Sequence, residues 1–197
     1  MPGNPAAEPL AIGPNISVVG DSCSGKTTLA AAIAERLGLP HIELDELNWA
    51  PNWTPVPDDV LLQRVRDAVD EEGWVIDGNY GRIVRPITWG AADTVVWLDF
   101  PLRVTIPRTL ARSFRRWRTR ELLWGTNRER LWEHFLPWDR SLIWWTLKSH
   151  FRRRRAYSAA MRDPQYEGTR FHRLRSPAEV EPFLRAVRLA EPKAQTV

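Results

Sequence analysis

The sequence predicts an α/β domain in which helices cover both faces of a parallel sheet. Three observations carry that prediction. Short β-branched runs alternate with helical periodicities along the chain. The first run leads into Gly20-Asp21-Ser22-Cys23-Ser24-Gly25-Lys26-Thr27, which matches G-x-x-x-x-G-K-[ST] in full. The next three runs end at carboxylates, Asp45, Asp77 and Asp99, on the rim where sheets of this class gather ligands.

Residues 15–28, NISVVGDSCSGKTT, read as a buried strand, a phosphate-binding loop and a helix start. Gly20 and Gly25 allow backbone angles that a side chain forbids, so loop N–H groups can turn toward phosphate oxygens. The helix N-terminus adds a positive dipole end at the same place. Leu29, Ile33 and Leu37 form its apolar stripe, and Gly38 and Pro40 stop it.

Ile42 and Leu44 alternate as a short second strand ending at Asp45. Residues 46–57, with two Asn, three Pro and no period, read as a loop. A helix follows from about Asp58, carried by Leu61, Val65 and Val69 and closed by Gly73. Residues 74–77 make the third strand, with a turn over 78–82. Residues 94–99 make the fourth, ended by Phe100-Pro101.

A helix then runs to about Trp117, with Pro107 as a possible kink. Ile106, Leu110, Phe114 and Trp117 share one side of it; Arg108, Arg112 and Arg115 lie on the other. Residues 116–130 read as a mobile basic insertion, 131–157 as a Trp-rich helical stretch, and 169–174 as a fifth strand. Ser176-Pro177-Ala178-Glu179 is a capping box opening a last helix.

One domain over residues 15–190 is expected, with a lid or insertion at about 108–157 and loose tails at 1–14 and 191–197. No apolar run approaches a membrane span and the start lacks a signal peptide's pattern, so no stable membrane insertion is expected. The lone Cys23 cannot close an internal disulfide, which suits a cytoplasmic protein. The four histidines are scattered and make no metal-ligand pattern.

Charge is unevenly spread. Residues 103–155 carry +11, against −7 for the rest of a chain whose net charge is +4. An anionic partner is expected there: a nucleotide, nucleic acid or an acidic membrane surface.

The segments G-D-S-C-S-G-K-T-T, L-G-L-P-H-I with its acid, G-W-V-I-D-G-N-Y and A-D-T-V-V-W-L-D-F-P resemble the adenylate kinase-related P-loop kinases. Within them the topology-modulation, adenylate kinase-like branch looks nearest. The resemblance covers residues 16–184. It implies a P-loop NTPase fold with a five-stranded parallel sheet, ATP-Mg²⁺ on the phosphate loop and an arginine-bearing lid. Two departures stand out: Asn79-Tyr80-Gly81-Arg82 replaces the usual continuation after Asp77-Gly78, and no Thr-Gly pair follows the second strand. Asp45 stands there instead, where small-molecule and nucleoside kinases of the superfamily carry an acid that takes the acceptor's proton.

The expected site follows. Gly20, Asp21, Ser22, Cys23, Ser24, Gly25, Lys26, Thr27 and Thr28 would hold ATP, with Lys26 on the β and γ phosphates. Thr27 and Asp77 would hold Mg²⁺. Asp45 reads as a general base or as a turn residue. Asp45, Trp49, Asp77, Asn79 and Arg82 would bind the acceptor, with Arg85 beside them and Trp53 as a stacking or core residue. Arg112 and Arg116 are the catalytic candidates among lid arginines 112, 115, 116, 118 and 120. Asp99 reads as a helix cap, and Trp132, Trp138, Trp144 and Trp145 as packing residues. The implied activity is phosphoryl transfer from ATP to a nucleotide, nucleoside or small alcohol. The other reading is an ATP-binding regulator or ATPase acting on nucleic acid through its basic segment.

Overall fold

A computed structural model describes residues 9–81, 83–119, 122–124, 127–128 and 142–190. In chain order, β1 (Leu10–Ile12) and β2 (Asn15–Gly20) precede α1 (Lys26–Leu37) and β3 (His41–Glu43). Then come α2 (Leu44–Asn48), β4 (Trp49–Ala50), β5 (Thr54–Pro55), α3 (Asp58–Val69) and β6 (Trp74–Asp77). α4 (Arg85–Gly90), β7 (Thr94–Leu98) and α5 (Leu102–Thr119) follow, with a short hairpin, β8 (Leu122–Leu123) and β9 (Asn127–Arg128). The rest is α6 (Leu142–Ala160), β10 (Arg170–Leu174), α7 (Val180–Ala186) and β11 (Val187–Leu189).

The main sheet has five parallel strands in the order β10-β7-β2-β6-β3, with β2 at its centre. Alternate residues of one strand serve opposite faces. Ile16, Val18, Val75 and Val96 pack under α1 (Leu29, Ala30, Ile33) and α7 (Phe183). Val19, Trp74, Ile76, Val95 and Trp97 pack against α3, Trp89 of α4 and Tyr157 of α6. The central strands are covered on both faces, which is why β2, β6 and β7 are buried almost throughout their length.

The predicted five-stranded α/β architecture is the observed one; four local expectations are corrected. Residues 1–14 are not all tail: Leu10–Ile12 is a strand paired in parallel with Val187–Leu189, and Ile12 is fully buried. Its partner lies at the far end of the chain, so no local pattern marks it. Asp45 does not end a strand but sits in the first turn of α2. Residues 46–57 are not plain loop: α2 leads into the β4–β5 hairpin.

The fourth correction concerns α5. The side turned inward carries Thr105, Thr109 and Ser113, whereas Leu110, Phe114 and Trp117 are exposed. Thr109 satisfies its hydroxyl on the Thr105 carbonyl at 2.8 Å, so polar side chains can face inward there. The helix also continues through 116–119, where an insertion was expected. Arg82, Arg120, Trp132 and Trp138 lie outside the described residues, as do the side chains of Trp144 and Trp145. Among the described residues no helix is long and apolar enough to cross a membrane.

Candidate functional site

β2 delivers the phosphate loop to the C-terminal rim of the sheet, and α1 starts at Lys26 immediately after it. Gly25 has φ 93°, in the region L side chains avoid. At Gly20 a Cβ would lie 2.6 Å from Ser24 Oγ and 2.9 Å from the Leu98 carbonyl oxygen, so only glycine fits. Lys26 and Thr27 are half-buried and Thr28 is exposed. Ser22 and Cys23 are half-buried on the turn itself.

Asn79 was expected to bind an acceptor. Its amide instead brackets the loop: Oδ1 accepts from the Gly20 N–H at 3.2 Å and Nδ2 donates to the Gly20 carbonyl. Tyr157 of α6 donates to the same Oδ1 at 3.1 Å. Burial pushes the Tyr157 hydroxyl up to about 12, which keeps it protonated as that donor.

Asp21 is buried, and its side chain turns to α6 rather than to the loop's concave side. His150 Nδ1 meets one carboxylate oxygen, and Arg153 Nε donates to the other at 2.9 Å. The phosphate loop is therefore clasped twice: Asn79 holds its first residue and α6 its second.

β6 ends at Asp77, which pairs in register with Val18 of β2 and Glu43 of β3. Thr27 Oγ1 donates to Asp77 Oδ1 at 3.2 Å, and His41 Nε2 donates to Oδ2 at 2.9 Å. The hydrogen bond to Asp77 raises the His41 pKa above its ordinary value. Glu43, beside this group, is pushed up by burial and by the Asp77 charge, against the pull of a hydrogen bond from Trp124.

Asp45 Oδ1 accepts from Tyr80 Oη at 2.8 Å. The Tyr80 hydroxyl is held protonated by burial and by the Asp45 charge. Trp49, Trp53 and Trp124 stand beside α2 in edge-to-face pairs, with centroids 5.6 and 5.8 Å apart. Asn127 ties the β8–β9 hairpin to them, accepting from the Trp53 N–H at 2.7 Å and donating to the Ala50 carbonyl at 3.2 Å.

Arg108, Arg112 and Arg116 recur every fourth residue on α5. Arg108 Nη1 reaches the Ser24 carbonyl at 3.4 Å, which places their line beside the phosphate loop. Arg112 and Arg116 are half-buried, while Arg115 and Arg118 are exposed. Arg85 opens α4 with its guanidinium 5.5 Å from the Trp89 ring centre. Asp99 was expected to cap α5; its oxygens are taken by Arg154 at 3.0 Å and Arg173 at 2.6 Å. Arg173 also lies over Trp97, at 4.3 Å.

Among the described residues no three His, Cys, Asp or Glu side chains form a metal cluster. A hydroxyl and a carboxylate 3.2 Å apart at the mouth of a phosphate loop are nevertheless hard oxygen donors of the kind Mg²⁺ takes when phosphates and water complete its shell. Ser24 Oγ is buried with no hydrogen-bond partner. With the small-residue cradle at Gly20, that suits a phosphate-bearing ligand.

Sequence reasoning missed His41, Tyr80, Arg108, His150 and Arg153. The histidines looked scattered because their partners lie 36 and 129 residues away. Tyr80 stood in view, directly after the Asp77-Gly78 turn.

No family model matches the chain. It is 29% identical over 119 residues to the "Adenylate kinase isoenzyme 6 homolog" of Caenorhabditis elegans, a match spanning 55% of this chain and 64% of that protein. Among solved structures it is similar to a gluconokinase from Sinorhizobium meliloti 1021 (22% identity, TM-score 0.51, 90% of this chain and 93% of that one). It is also similar to shikimate kinase from Acinetobacter baumannii, solved with shikimate (18% identity, TM-score 0.52, 88% of this chain and 89% of that one). The chain has the fold of the P-loop kinases.

Proposed function

We propose that the chain is an ATP-Mg²⁺-dependent phosphotransferase acting on a small hydroxylated acceptor, a nucleoside, a nucleotide or a polyol-like molecule. The observation that carries the reading is the Thr27–Asp77 pair at the mouth of a complete phosphate loop. Asp45 lies on the same side of the sheet, two residues beyond β3. The relatives' names agree in type but divide between nucleotide and small-molecule kinases.

In this reading the backbone N–H groups of residues 20–28 and the Lys26 ammonium hold the β and γ phosphates of ATP. Thr27 and Asp77 would hold Mg²⁺, which would supply positive charge against the phosphates. Asp45 accepts the proton of the acceptor hydroxyl as its oxygen bonds to the γ phosphorus. The bond from that phosphorus to the bridging oxygen breaks, and ADP leaves. Arg112 and Arg116 approach the equatorial oxygens, where charge spreads during transfer. Residues 108–157 would form the lid, and Trp49 with Arg85 would border the acceptor.

The test is ADP formation from ATP-Mg²⁺ against nucleoside monophosphates, nucleosides, sugar acids and small alcohols, with Lys26→Ala as blank. Turnover with one acceptor class, lost in Lys26→Ala and Asp45→Asn, is expected. Turnover independent of any acceptor but stimulated by DNA or RNA would overturn it.

A further inference from the structure

α5 and α6 pack against each other. Together they carry eleven arginine and lysine side chains and no aspartate or glutamate. Arg153 and Arg154 are matched by Asp21 and Asp99, so part of this charge is structural. Arg103, Arg108, Arg115 and Arg118 on α5, and Arg152 and Arg155 on α6, are exposed.

Within this basic surface α5 displays an apolar line. Leu110, Phe114 and Trp117 recur at i, i+4 and i+7 and are 43%, 55% and 52% exposed. Phe151 of α6 is 58% exposed. Four large apolar side chains half open to water need a reason, and the proposed phosphate chemistry does not supply one. Arg118 stands roughly a quarter-turn from the line, with Arg115 and Arg108 further round the same flank. The helix is thus apolar along one stripe, basic beside it and inward-facing on the third side.

The occupant follows from charge and shape. A second copy would set one acid-free basic face against another, and like charges across an interface oppose association. A nucleic acid satisfies the charge, but bases stack on separate aromatic faces. Here Phe114 and Trp117 lean on each other, centroids 5.8 Å apart and planes at 41°, and Leu110 extends the line without a ring. An anionic lipid surface satisfies both features. The stripe enters the acyl boundary, and the flanking guanidinium groups meet headgroup phosphates. We infer that the exposed face of α5 is a peripheral docking surface for an anionic bilayer. This assignment is independent of the proposed phosphoryl transfer.

The experiment is co-sedimentation of the full chain with vesicles of phosphatidylcholine alone or with phosphatidylglycerol added, at roughly 0.1 M salt. Binding only to the anionic vesicles is expected, weakening as salt rises, because each arginine near such a surface contributes roughly five-fold in affinity. The Phe114→Ser/Trp117→Ser variant should bind at least about ten-fold more weakly, with its melting midpoint unchanged. Absence of binding to anionic vesicles overturns the assignment. So does binding that the double variant leaves intact. Duplex DNA binding without vesicle binding would make nucleic acid the occupant, and a dimer abolished by the double variant would make it a second copy.

Discussion

His41 Nε2 stands 2.9 Å from Asp77 Oδ2, the oxygen opposite the one that Thr27 reaches. In the proposed site, a side chain that grips the far side of the carboxylate offered to Mg²⁺ fixes where its near side points. His41→Ala should therefore raise the Mg²⁺ concentration needed for half-maximal turnover by about 10–100-fold. A Mg²⁺ titration of ADP formation reads this directly; an unchanged midpoint would show that Thr27 alone orients Asp77.

The same contact predicts a pH dependence of stability. Asp77 raises the His41 pKa, so the folded state binds the proton more tightly than the unfolded chain does. The contribution is complete below the ordinary histidine value of 6.5 and is lost as pH rises through the raised one. Urea midpoints of the wild type and His41→Ala should differ more at about pH 6 than at about pH 9.

In the proposed reaction, Asp45 and Tyr80 allow acceptor chemistry to be tested apart from ATP binding. Asp45→Asn should lower kcat by about 10²–10⁴-fold and leave ATP affinity unchanged. Tyr80→Phe removes one hydrogen bond to a carboxylate and should cost no more than about ten-fold. A wild-type rate in Asp45→Asn would make Asp45 a turn residue of α2.

The clasp between Asp21 and α6 should appear as coupling. Arg153→Met leaves a buried carboxylate short of its guanidinium and should destabilise the fold by about 3 kcal/mol. Adding Asp21→Asn should then cost less than the two single changes summed, with a coupling of about 1–3 kcal/mol. Denaturation of the four proteins closes the cycle; additive effects would mean that the contact adds nothing.

Trp89 is fully buried among Tyr157, Tyr166 and Phe171, with centroids 5.1–5.7 Å away. Trp89→Ala should cost about 3–5 kcal/mol in chemical denaturation. Because Tyr157 also holds Asn79 against Gly20, ATP affinity should fall with it.

The sheet was legible because its information is local. Three strands buried on both sides write themselves as short, largely apolar stretches, and Gly20 to Thr27 is a contiguous motif with a fixed chemistry. Interactions between distant residues stayed hidden. Nothing near His150 or Arg153 announces Asp21, and nothing near Leu10 announces Val187. Asp99 resembled a cap because its neighbours are helix-starting residues, while its ion partners lie well downstream. On α5 the sequence shows which residues share a side but not which side turns inward, and Leu110, Phe114 and Trp117 are exposed. The actual inward side is threonine and serine, small enough for close approach, and Thr109 satisfies its hydroxyl on the helix's own Thr105 carbonyl.

The pairing of β1 with β11 bears on how the protein is made. During synthesis Leu10, Ala11 and Ile12 leave the ribosome more than 170 residues ahead of their partners. At about 5–20 residues per second that is a wait of roughly ten to thirty seconds. Over that interval an apolar strand, including a residue with no exposure in the finished fold, has no native neighbour on one edge. β11 is thus the strand that covers β1, and a nascent chain stalled short of residue 187 leaves β1 without its partner.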